Sequence, residues 1–196
     1  MKITKRITSH AFLAQLLFAV VSFILACSTA SAQTADETKN AVRVMVAGGA
    51  APDAWGLVLG VEYERYLGSG FALGLRPGWL TYGYDDGDYT EDGDGYGADV
   101  CARYYFKGQG MWGFYLGGAV GGWGTSWDWE EGTAKGSGDS FSINLQAEFG
   151  YRFLLANDRL SIAPAVVLGD YLAASSDDDA QFGFYAAFGL VFGYHF

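Results

Sequence analysis

From Ala41 onward the chain alternates apolar and polar side chains with a period of two, and this feature constrains its fold more than any other. The clearest stretch runs from Ser140 to Phe153. Phe141, Ile143, Leu145, Ala147, Phe149, Tyr151 and Phe153 alternate there with Ser140, Ser142, Asn144, Gln146, Glu148, Gly150 and Arg152. A helix cannot sort these residues onto two faces, whereas successive side chains of a strand point to opposite faces. The last segment repeats the pattern, with Phe182, Phe184, Ala186, Phe188, Leu190, Phe192, Tyr194 and Phe196 on one face.

The same reading along the chain predicts eight strands, over 41–50, 55–66, 71–82, 96–106, 111–124, 140–154, 160–170 and 181–196. Tight turns separate some of them, at Leu67–Gly70, Lys107–Gly110 and Ala156–Arg159. Longer acidic connections separate others, at Gly83–Gly95, Thr125–Asp139 and Tyr171–Ala180, with Ala51–Ala54 a short exception on that side. Short turns on one rim and longer loops on the other is the plan of an outer-membrane barrel, turns periplasmic and loops extracellular. The expected fold is therefore all-β: an eight-stranded antiparallel transmembrane β-barrel, preceded by a cleavable signal peptide.

The signal is read from the N-terminus. Lys2, Lys5 and Arg6 precede an apolar run from Ala11 to Ala26, and Ala30-Ser31-Ala32 gives the small-x-small cleavage pattern. The expected division is a signal peptide over 1–32, a short periplasmic segment over 33–40 and one barrel domain over 41–196. A competing reading takes Ile24-Leu25-Ala26-Cys27 as a lipobox with Cys27 lipidated, although Leu25 stands where such motifs carry a small residue.

Cleavage after Ala32 leaves 9 basic against 22 acidic side chains, a poor match for nucleic-acid phosphates. It also leaves Cys101 as the one cysteine, which excludes an internal disulfide or a thiolate zinc site. Aromatic residues fall in two groups. Trp55, Tyr82, Tyr84, Tyr96, Trp123, Trp127 and Trp129 lie toward the loop rim, and Tyr63, Phe71, Tyr104, Phe106, Trp112, Phe114, Phe153 and Tyr194 toward the turn rim. Two girdles are expected where rings meet lipid headgroups.

A terminal Phe196 preceded by Tyr194 and Phe192 resembles the C-terminal signature read by the barrel-insertion machinery, and the segment Ala102-Arg103-Tyr104-Tyr105-Phe106 resembles members of the same broad group. With the signal peptide and the strand pattern, the whole mature chain resembles small outer-membrane barrels of the OmpA/OmpX/OmpW-like group. The resemblance implies a location in the bacterial cell outer membrane. It implies outer-membrane lipid, lipopolysaccharide and the insertion machinery as partners, and it transfers no catalytic residues. Nothing in the sequence fixes the oligomeric state, and a monomer is the expectation. A soluble lipocalin-like barrel or sandwich would also alternate, but its exposed face would carry many long charged side chains rather than Gly, Ala and Ser.

The polar face, assigned to the lumen, collects Arg43, Glu62, Glu64, Arg76, Asp99, Arg103, Glu148 and Arg152, four cations and four anions. Eight strands enclose an interior just wide enough for side chains, and buried charges must pair, so a structural plug is expected. Glu148 and Arg152 stand four residues apart on one strand, too far to pair directly, so each needs partners on other strands. A narrow channel for ions or small solutes is the alternative.

An enzyme acting on outer-membrane lipid is a third reading. It lacks support, because the mature chain has only His195 to serve as a base, so no catalytic site and no cofactor are expected. The segment Asp85 to Gly95 alternates Asp with Gly, and Asp85, Asp86, Asp88, Asp92 and Asp94 are candidate calcium ligands, without the full spacing of an EF-hand.

Overall fold

In the computed structural model the described residues are 39–51, 53–107, 110–176 and 184–196. The signal-peptide and lipobox segments and most of the 33–40 segment lie outside them. The chain forms eight strands: β1 (Asn40–Ala51), β2 (Ala54–Gly68), β3 (Phe71–Asp85), β4 (Tyr89–Tyr105), β5 (Gly113–Glu131), β6 (Ala134–Leu155), β7 (Leu160–Ser176) and β8 (Phe184–His195). Each pairs antiparallel with its sequence neighbour, and β1 pairs with β8 from Ala41↔His195 to Gly48↔Phe188, closing the barrel. Beyond that ladder, Asn40 and Phe196 exchange backbone hydrogen bonds of 3.1 and 2.9 Å. A closed ring leaves no sheet edge unpaired, the condition for a β-structure in hydrocarbon.

The turn end is tight. Gly68, Ser69 and Gly70 all have positive φ (107°, 52° and 86°), and so do Ala156, Asn157 and Asp158 (50°, 55° and 65°). A side chain at Gly70 would also run into the carbonyl of Tyr105 on β4. Glycine is required there for conformation and for space at once.

The opposite end differs from expectation. The connections predicted over Gly83–Gly95 and Thr125–Asp139 are mostly strand. β3 and β4 stay paired out to Asp85↔Thr90, and β5 and β6 out to Glu131↔Ala134. In the third, β7 continues to Ser176, and residues 177–180 lie outside those described. The physical reason is the solvent. About 9–11 residues of strand cross a bilayer, while β5 and β6 hold 19 and 22. Beyond the lipid, water meets the outer wall, so Asp, Ser and Gly can occupy outward positions and the amphipathic signal fades while the backbone ladder continues.

The outer wall between the two ends is apolar. Leu73, Leu75, Val100, Leu116, Val120, Leu145, Phe149, Val166, Phe188 and Phe192 are all exposed there. At the turn end Tyr63, Phe71, Tyr104, Phe106, Phe114 and Phe153 form an outward aromatic girdle. Its rings meet edge to face or tilted, as at Phe71–Tyr104 (4.9 Å), Phe114–Tyr151 (4.7 Å) and Tyr151–Phe153 (4.5 Å). Lys107 stands over Trp112 at 3.7 Å.

The girdle expected at the other end is built from only part of the residues assigned to it. Trp55 and Tyr96 are exposed on the outer wall, but Trp123 and Trp127 are buried inside, and Tyr82 and Trp129 share the inner face. The strand period explains this. Trp123, Trp127 and Trp129 share a face of β5 with Thr125, while the opposite face carries Ser126, Asp128 and Glu130, which are exposed.

Candidate functional site

The inward positions of the turn-end half hold the eight charges, each at most 3 % exposed. Arg103 on β4 is the hub. Its guanidinium donates to Glu62 on β2 (Nη2–Oε2 2.9 Å, with Nη1 in contact with Oε1), to Glu64 (3.2 Å) and to Glu148 on β6 (Nη2–Oε2 2.7 Å). Arg43 on β1 lies 3.4 Å from Glu62 and 3.3 Å from Glu64. Arg76 on β3 donates to Asp99 at 3.0 Å and lies 3.5 Å from Glu148. Arg152 on β6 reaches Glu64 at 2.7 Å. The acids of some strands and the bases of others thus meet across the lumen, and Glu148 and Arg152 each bind partners on other strands.

Neutral residues complete the layer, and sequence reading did not assign them to it. Tyr105 donates to Glu64 (3.0 Å), Tyr115 to Glu148 (2.7 Å), Trp123 Nε1 to Asp99 (2.9 Å), and Gln146 accepts from Arg76 (2.7 Å). The guanidinium of Arg152 lies over the Tyr105 ring at 4.8 Å. The available signal was strand phase, because Tyr105 and Tyr115 share faces with Arg103 and Gly117. Space comes from glycine: a Cβ at Gly74 would collide with the Glu62 carboxylate. His195 is not alone either. Its Nε2 lies 2.9 Å from Ser161 Oγ, both residues buried at the turn end where β8 meets β7. Phe192 is exposed on the outer wall, and Tyr194 and Phe196 are partly covered beside it.

Above this layer, toward the hairpin end, the lumen opens into a cavity of about 1130 Å³. One side is lined by small residues such as Ala47, Gly49, Gly56 and Ala187, the other by Tyr82, Tyr89, Trp127, Trp129, Tyr171 and Tyr185. The rings lie flat against the wall because the neighbouring strand offers glycine beneath them. A Cβ at Gly93 would meet Tyr82, at Gly136 Trp129, at Gly138 Trp127 and at Gly169 Tyr185, all closer than 3.0 Å. Tyr89 stacks on Trp129 at 6.2 Å and Tyr171 on Tyr185 at 5.1 Å. Glu91 projects among them and accepts from Tyr82 (2.9 Å) and Tyr89 (2.6 Å). Burial, and then the bond to Glu91, push the Tyr89 phenol up to about 12, so it remains a donor at neutral pH. Glu131 and Asp86 stand at the mouth.

The calcium loop expected from Asp85 to Asp94 is not formed. Asp85 accepts from the Gly87 amide (2.9 Å), and Asp86 from the amides of Asp88 (3.2 Å) and Tyr89 (2.9 Å), so these carboxylates close the β3–β4 turn. The Asp86 carboxyl is held below the ordinary range, first by the Tyr89 amide. Asp92 and Asp94 are exposed on the outward face of β4, opposite in phase to Glu91. Among the described residues no three His, Cys, Asp or Glu side chains converge to hold a metal ion. Strand pairing has sent to different faces the oxygens that a loop would have gathered.

No protein-family model matches the sequence, and no curated protein matches it. Solved structures do. The N-terminal β-barrel domain of Pseudomonas aeruginosa OprF superposes with a TM-score of 0.53 at 14 % identity, over 81 % of this chain and 100 % of that one. Ail, the attachment invasion locus protein of Yersinia pestis, gives 0.53 at 10 % identity, over 81 % and 99 %. A major outer-membrane protein of Thermus thermophilus gives 0.51 at 16 % identity, over 80 % and 99 %. The chain has the fold of the small eight-stranded outer-membrane β-barrels.

Proposed function

We propose that the protein is a closed outer-membrane barrel, neither channel nor enzyme, that acts through the end of the molecule carrying its long hairpins. The observation that carries this reading is the charge layer. Side chains from β1, β2, β3, β4 and β6 meet across the lumen with eight buried charges of balanced sign. An ion entering would have to displace ion pairs already desolvated. The only histidine among the described residues is paired with Ser161 and buried below that layer, away from a lipid substrate. The working end is then the rim where β3–β6 rise beyond the bilayer.

Ail of Yersinia pestis has been crystallised with the heparin analogue sucrose octasulfate. A polyanion of that kind does not suit this rim, whose hairpin tips carry Asp85, Asp86, Asp88, Glu130 and Glu131. Surface interaction here calls for a partner that is neutral or cationic.

The test is conductance. The purified protein reconstituted into planar bilayers should show no steady ohmic current, and the paired variant Arg103→Ala/Glu148→Ala, which empties the hub, should raise the frequency of openings. Reproducible channels in the unmodified protein would sink the closed-barrel reading and promote the narrow channel.

A further inference from the structure

We propose that the cavity above the charge layer is a binding site for a small organic ammonium ligand, a quaternary or alkylated amine of the choline type. This deepens the surface-interaction reading and rests on it, because the charge layer is the floor that makes the cavity a cup. Three observations converge. The cup is lined by the rings of Tyr82, Tyr89, Trp127, Trp129 and Tyr185, and glycines of the adjoining strands let Tyr82, Trp127, Trp129 and Tyr185 lie against the wall. Ring faces carry the negative end of the aromatic quadrupole and attract cations placed over them. The carboxylates lining the cup are Glu91, Glu131 and Asp86, and no Lys or Arg is among its lining residues.

Glu91 is the anchor. Its two oxygens each accept one phenol hydrogen bond, from Tyr82 and Tyr89, and each keeps a further lone pair. The phenols fix the carboxylate on the inner face of β4, in register with Trp129 on β5. The volume of about 1130 Å³ exceeds the usual span of small-ligand pockets only slightly, and the small side chains opposite leave that space clear. A neutral sugar would also stack on these rings and could donate hydroxyls to the carboxylates, but it would gain no charge attraction from them. A phosphate or sulfate would be repelled.

The experiment uses the full mature protein refolded in detergent micelles. Choline and its uncharged isostere 3,3-dimethyl-1-butanol are titrated separately, followed by tryptophan fluorescence and calorimetry. Choline should bind saturably, and the isostere at least about tenfold more weakly, because it lacks the charge that the rings and carboxylates read. Glu91→Gln should weaken choline at least about fivefold and leave the isostere unchanged, and Trp129→Leu should weaken both. Asp128→Asn, on the outer wall, should alter neither. Heat-modifiable electrophoretic migration checks that each variant is folded. If Trp129→Leu does not fold, the Glu91→Gln comparison decides alone.

Equal affinity for choline and the isostere, tighter binding of glucose than of choline, or no saturable choline binding would each overturn the proposal. Conductance of the same preparation separates the two readings. A conducting barrel that binds choline sinks only the closed-barrel reading, and a silent barrel that does not bind sinks only this one.

Discussion

At the scale of single residues, the protein depends on charges that cannot be removed singly. Arg103 and Glu148 are 2 % and 3 % exposed, and each has several counter-charges within 4.0 Å. Deleting one member leaves the desolvated network with an uncompensated charge, at a typical cost of ~3–5 kcal/mol. Arg103→Ala or Glu148→Ala should therefore lower unfolding stability by about that amount, whereas Asp128→Asn on the outer wall should stay within about 0.5 kcal/mol. Urea titration of vesicle-refolded protein measures both. Luminal variants as stable as the parent would mean that these charges are hydrated.

The element scale is best seen in the β3–β4 hairpin, whose turn is held by carboxylates rather than by an apolar contact. Asp86 accepts two backbone amides across the turn. Its folded carboxyl lies below the ordinary aspartate value of 3.8, so the ionised form favours the turn. That contribution is fully present above the ordinary value and is lost as pH falls through the lower, folded one. On acidification below about pH 4 the amide resonances of Asp88 and Tyr89 should move together, and hydrogen exchange at Tyr89 should accelerate in Asp86→Ala at neutral pH. Amide shifts indifferent to acid would remove Asp86 from this role. The hairpin also shows why the acidic stretch reads as a loop in the sequence. Alternating Gly and Asp lack a strand's usual apolar stripe, yet the cross-strand rings of Tyr82, Tyr89 and Trp129 supply an inner face.

For the whole molecule, the deciding contrast is between outer wall and lumen. The belt around Val120 is apolar, and a cation at the bilayer midplane costs ~2–4 kcal/mol while one near the interface costs about 0–1. Val120 is 49 % exposed on β5, and Ser126 lies six positions further along the same face, in the extended hairpin. Val120→Arg should impair refolding into vesicles by that margin, and Ser126→Arg should not. Equal yields of the heat-modifiable folded form would show that lipid does not cover Val120.

The division of labour between sequence and tertiary structure follows from what each interaction can reach. Period two by itself settled which residues share a face, and so put all eight charges on the side opposite the leucines and phenylalanines, because a strand has only two faces. Hairpin register alone brings Arg43 opposite Glu62 and Arg76 opposite Asp99. It does not bring Arg103 to Glu62 and Glu148, or Arg152 to Glu64. Those partners lie on non-adjacent strands and meet only because closure curls the sheet around a narrow axis. The same closure turned Trp127 and Trp129 from expected lipid anchors into the wall of a cup. Their phase was already in the sequence. What they face was not, because whether an aromatic strand face meets lipid, water or the far wall is decided by the ring of strands and not by any one of them.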